Sequence, residues 1–256
     1  MVGVETSPAL SGQSLHSRPG RACWAAMNVT DALYSRISTR AFTTDPLPEA
    51  LVREILDVAR WSPSGGNLQP WKVVAVAGEA RQAVIDTVNA ALAANPRGEQ
   101  GDRPMYPADL WEPYRTRRYV LGEQMYELLG IGRDDKAGRL MRLAENTQFF
   151  GAPVGLFFAI DERMGHGQWA HLGMFMQSIA LAAIERGVAS CMQEYWALGR
   201  ETLRVHFELP EHEMIYCGMA LGYADTEHPV NALRSERAPV EEFATFAGFE
   251  ELASDR

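Results

Sequence analysis

Between Trp61 and Trp71 the chain reads Trp-Ser-Pro-Ser-Gly-Gly-Asn-Leu-Gln-Pro-Trp, and no regular helix or strand can run through it. Pro63 and Pro70 fix φ and lack a backbone donor, while adjacent Gly65 and Gly66 loosen the chain between them. The flanks differ in period. Pro48 to Trp61 is an amphipathic helix with Leu51, Ile55, Leu56 and Val58 on one side, and Lys72 to Ala77 is an apolar run of strand length. Ser64, Asn67 and Gln69 therefore sit in a stiff loop beside backbone that can approach a ligand closely at Gly65 and Gly66. Such a loop suits a flat polar ligand; a plain connecting turn is the other reading of these residues taken alone.

The rest of the chain repeats the helix-then-strand alternation. Helices are predicted at Asp31–Ser38, Glu79–Ala94, Gln168–Arg186 and Glu201–Phe207, with Gly187 as a C-terminal stop. Strands are predicted at Gly151–Ile160, Val188–Met192 and Met214–Gly222. The pattern gives an α+β (α/β) fold in a single domain, residues 27–256. Residues 1–26 are rich in Ser, Gly and Pro and are expected to be a disordered tail. Asn95 to Gly138 mixes Pro104, Pro107 and Pro113 with Tyr106, Trp111, Tyr114, Arg115 and Arg118. That is too aromatic for a linker, so an ordered excursion with helical pieces is expected, packed on a partner or covering a site.

A formal net charge of -9 argues against a general nucleic-acid or anionic-membrane binder, so any anionic ligand must be held by local cations. Cys23, Cys191 and Cys217 are widely separated and odd in number, which fits a reducing cytoplasm better than a disulfide framework. The apolar run Ala152–Ile160 is too short to span a bilayer.

Two segments concentrate cations. Ser35-Arg-Ile-Ser-Thr-Arg-Ala-Phe42 carries Arg36 and Arg40, which would share a face if helical and could clamp a phosphate together with Ser38. Asn231-Ala-Leu-Arg-Ser-Glu-Arg-Ala-Pro239 supplies Arg234 and Arg237. A solvated basic patch and a charged surface tail are the alternatives for each in isolation. No G-x-G-x-x-G follows a strand, and there is neither a G-x-S-x-G elbow nor a phosphate-binding P-loop. The histidines lack metal-motif spacing, and Cys191 and Cys217 read as core residues. A ligand cradle with little acid–base machinery points to a cofactor that carries the chemistry.

Three separated motifs then resemble, in order, those of the FMN-dependent nitroreductase family, in particular its nitrobenzoate-reductase-like branch. They are Arg36-Ile37-Ser38-Thr39-Arg40-Ala41-Phe42, the loop Ser62–Trp71, and Gly222-Tyr223 followed by Arg234-Ser-Glu-Arg237-Ala-Pro239. The resemblance implies a nitroreductase-like fold, a mostly antiparallel central sheet flanked by helices, in an intertwined homodimer with FMN sites at the subunit interface. It assigns Arg36, Ser38, Arg234 and Arg237 to the FMN phosphate and Arg40 to the N1/O2 edge of the ring, with Ile37 in the same motif. Pro63, Ser64, Gly65 and Asn67 would reach the flavin from the other subunit. Met192, Gln193 and Glu194 would cross one ring face and offer a backbone N–H to N5. The segment departs from the family pattern at Met192, often Pro, and at Tyr195, often Gly. Asn146 and Gln148 are candidates for the pyrimidine end. Gly66, Tyr106, Trp111, Tyr114, Arg115, Arg118 and Asn146 are the candidate substrate pocket, where an arginine would favour an anionic aromatic. The implied activity is transfer of hydride from NAD(P)H through FMN to a nitroaromatic or quinone, with no catalytic side chain and no metal. Flavin fragmentation, reductive dehalogenation and flavin binding without turnover are the alternatives.

Overall fold

The computed structural model describes residues 27–99, 101 and 103–249; the predicted tail and Cys23 lie outside them. Four strands form one antiparallel sheet in the order β1-β2-β4-β3: β1 Lys72–Ala77, β2 Val154–Asp161, β3 Ala189–Gln193 and β4 Glu213–Gly222. Both faces are covered, which explains why β2 reads as an unbroken apolar run and not as an alternation. Its even residues Leu156, Phe158 and Ile160 pack with α2 (Glu49–Ala59) and α6 (His166–Ile184). Phe157 and Ala159 face the opposite layer, with Val84, Ile85 and Val88 of α3 (Gly78–Ala94).

Two glycines inside strands are required by close approach. A Cβ on Gly155 would lie 2.2 Å from the Phe149 ring, and one on Gly218 would lie 2.3 Å from Trp196. The two rings they admit pack against each other, tilted by 33° with centroids 4.5 Å apart. Phe149 and Phe150 belong to the irregular 3-10 segment Glu145–Gly151, and both adopt left-handed backbone at φ 53°. A bulky residue in that region costs about 1–3 kcal/mol, so neighbouring ties must enforce it. They are Arg81 donating to the Gln148 carbonyl at 2.8 Å, Gln193 Nε2 to the Asn146 carbonyl at 2.8 Å, and Thr147 Oγ1 to Asn89 at 2.7 Å.

One predicted helix is corrected. The first helix, α1 (Val29–Ser35), stops at Ser35, and Arg36 leaves it with extended backbone. Residues Ser38 and Phe42 then make isolated bridges to Ser190 and Ala224, with Thr39 N–H bonded to the Ser190 carbonyl at 3.0 Å. Arg36 and Arg40 therefore share a side because alternate residues of an extended chain do, not because of a helical turn. The physical reason is the edge of β3, which offers this segment backbone partners that a lone helical turn lacks.

The predicted excursion, residues 95–138, has helical structure among its described residues. It carries α4 (Tyr114–Leu128) and leads into α5 (Lys136–Ala144). The chain continues through α7 (Arg200–His206) to α8 (Val240–Phe243). Among the described residues, no helix is long and apolar enough to cross a membrane.

Candidate functional site

The extended segment and the C-terminal segment meet around one cavity of about 200 Å³, walled by Arg36, Ile37, Ser38, Arg40, Leu233, Arg234, Ser235 and Arg237, with Leu33, Tyr34 and Leu121 completing it. Asn231 fastens the two segments. Its buried side chain accepts the Arg40 N–H at 2.8 Å and donates to the Ala41 and Asp225 carbonyls, each at 2.8 Å. Six of the residues predicted to bind the cofactor are thus gathered in one place.

The arginines meet carbonyl and hydroxyl oxygens, not carboxylates. Arg40 Nη1 donates to the Ser38 carbonyl at 3.3 Å, and Arg234 Nη1 to the Asn231 carbonyl at 2.9 Å. Arg237 Nη1 reaches the Ser235 hydroxyl at 2.6 Å and the Ser235 and Glu236 carbonyls. Among the described residues none of the four makes a salt bridge. Burial, and then the like charge of Arg237, pull the Arg36 guanidinium below its usual range. Uncompensated cations crowded round a cavity, in a chain of net charge -9, form a place for an anion. The donor set fits a phosphate.

Other predicted residues lie elsewhere. The loop after α2 packs on α6: Gly65 N–H points to His171 Nδ1 at 3.4 Å, and Ser62 Oγ bonds Ser178 at 2.7 Å. Pro63, Ser64, Gly65, Gly66 and Asn67 line no part of their own chain's arginine cavity. The loop is held by itself, through Ser64 Oγ accepting the Gln69 N–H at 3.0 Å. Gly66, Asn67 and Gln69 take positive φ of 59°, 55° and 48°, which leaves its polar groups turned to solvent.

At the end of β3, Met192 is exposed and Gln193 is 2% exposed. The Gln193 side chain is committed inward, to the Asn146 carbonyl and to Trp196 Nε1 at 3.3 Å, while its backbone pairs with β4. Crowding by its neighbours raises the Glu194 carboxyl above its usual range although the residue reaches solvent.

Tyr106, Trp111, Tyr114, Arg115 and Arg118 are exposed on the excursion. Arg115 pairs with Glu112 at 2.7 Å, whereas Arg118 lies 4.3 Å from the Tyr106 ring centroid without a carboxylate among the described residues. None of the five lines the cavity, although their neighbour Leu121 does. Asn146 donates to the Leu143 carbonyl at 2.9 Å. Sequence reading missed Arg142 on α5, which is buried against Arg40 although the apolar Leu140 and Met141 of the same helix are exposed.

Residues 33–223 match the Nitroreductase family. The chain belongs to the nitroreductase family. It is 36% identical over 85% of its length to nitrobenzene nitroreductase of Ectopseudomonas oleovorans, of which it covers 96%. It is 38% identical over 84% of its length to 4-nitrobenzoate reductase of Pseudomonas putida, of which it covers 94%. The solved FMN- and NADPH-dependent nitroreductase NfnB of Sphigopyxis sp. strain HMH superposes with a TM-score of 0.84 at 42% identity, over 87% of this chain and 100% of that one.

Proposed function

We propose that this chain is an FMN-dependent NAD(P)H oxidoreductase that reduces nitroaromatic compounds, acting as a cytoplasmic homodimer. One observation carries the reading. Segments joined by a bond spanning 191 residues place Arg36, Arg40, Arg234 and Arg237 round a single cavity, none of them in a salt bridge among the described residues. The likeness to NfnB, whose description names FMN and NADPH, supports the choice of anion. When bound, FMN supplies the redox chemistry, accepting hydride from the nicotinamide and delivering electrons to the nitro group.

The protein's part is binding and electrostatics. Arg36, Arg234 and Arg237 hold the phosphate with Ser38, and the charge so neutralised relieves the repulsion between Arg36 and Arg237. Arg40, tied through its backbone to Asn231, supplies a cation where negative charge builds on the reduced ring. The loop Pro63–Asn67, which lines no part of its own chain's arginine cavity, serves that of a partner subunit. The excursion residues Tyr106, Trp111, Tyr114 and Arg118 face the acceptor.

An anaerobic NADPH titration of the FMN-loaded protein, followed at the visible flavin bands, tests the reading. Bleaching, with colour restored by nitrobenzene, is the expected result. A flavin band that neither NADPH nor NADH bleaches, or a protein that takes up no FMN, would overturn it.

A further inference from the structure

Arg142 is 5% exposed and stands on α5 directly behind the cavity wall. It is not part of the lining. Its Nη2 donates to the carbonyl of Arg40 at 3.1 Å, its Nη1 meets Glu145, and its guanidinium carbon lies 5.0 Å from the Phe150 ring centroid. Its Nε is buried with no partner in the described structure. Arg40 is thus held at both backbone groups by side chains from distant elements: the N–H by Asn231 and the C=O by Arg142. Fixing both peptide groups of one residue fixes the base from which its side chain starts.

The charge is as telling as the bond. Burying a cation is costly unless its environment compensates it, and Arg142 is buried beside a second cation. Glu145 offsets part of that cost, being the partner opposed to Arg40 in its effect on Arg142. We propose that Arg142 is a positioning residue for Arg40: it locks the Arg40 backbone behind the flavin-binding wall. The inference rests on the FMN reading above.

A double-mutant cycle on FMN affinity tests it, using apoprotein reconstituted with FMN and flavin fluorescence as the signal. Arg142→Met lowers the affinity about tenfold, the scale of one lost hydrogen bond to a charged group. In an Arg40→Ala background the same substitution changes it less than about twofold, because its route of action is gone. Arg142→Lys keeps the charge without the planar fork and restores part of the affinity. It also carries the cycle if the Met variant does not fold. The midpoint potential of the bound flavin moves to more negative values in Arg142→Met, a change that loosened packing alone does not produce. Equal losses in both backgrounds, or unchanged affinity and potential, would overturn the inference while leaving the FMN reading intact. Failure of the unmodified protein to take up FMN would overturn both.

Discussion

Arg237 illustrates how far a single side chain can be assigned from its partners. Its guanidinium is exposed and, among the described residues, bonded only to Ser235 and the Glu236 carbonyl; after burial, its charge is the second cause that pulls Arg36 below its usual range. Replacing it removes a phosphate partner and also relieves a repulsion, so the fold loses little while the ligand loses a charge-assisted bond. Arg237→Ala is expected to weaken FMN binding by about 1.5–3 kcal/mol, the range for a hydrogen bond to a charged group. Riboflavin, which has no phosphate, should bind both proteins alike. Titrating each flavin into wild-type and mutant apoprotein measures this, and equal losses for the two ligands would place Arg237 away from the phosphate.

At the scale of elements, legibility followed burial. Lys72–Ala77 coincides with β1, and the β2, β3 and β4 predictions fall within three residues of the observed ends, because strands covered on both faces are written as apolar runs. Gly187 ends the α6 region with φ 68°, as its position predicts. The Arg36–Arg40 segment was misjudged because its partners lie on β3 and at Asn231, far along the chain. Arg142 was illegible for a different reason: α5 is turned inside out. Leu140 and Met141 are 67% and 69% exposed, while Arg139 and Arg142 face inward, onto Glu123 and Arg40 respectively. A pattern rule assigns the apolar side to the core and so hides the inward cation. The excursion makes its own prediction. Arg118 stacks on Tyr106 and has no carboxylate partner among the described residues, unlike Arg115 and Arg117, which pair with Glu112 and Glu242. Arg118→Ala should raise KM for 4-nitrobenzoate about tenfold and leave KM for uncharged nitrobenzene within about twofold, since only the carboxylate can use the cation. Parallel shifts for both substrates would show that Arg118 shapes the excursion and does not read charge.

Within one chain the arginine cavity and the polar loop packed on α6 are separate features, since no residue of the loop lines the cavity. Large apolar side chains stand in solvent on these elements: Tyr34 of α1, which borders the arginine cavity, and Trp61 after α2 are each 81% exposed, Leu68 of the loop is 55% and Met174 of α6 46% exposed. Exposed apolar side chains of this size suit an interface. A second copy would cover them, and twofold symmetry would give each cavity the other chain's loop. Sedimentation of the FMN-loaded protein is therefore expected at twice the chain mass. Trp61→Asp, which sets a charge at that interface, should yield monomer and should lose FMN in the same step, because the cavity then lacks its second wall. The two losses are coupled only if the site is shared. A Trp61→Asp monomer that retains FMN with undiminished affinity would mean that the arginine cavity binds flavin alone, and that the Pro63–Asn67 loop has some other task.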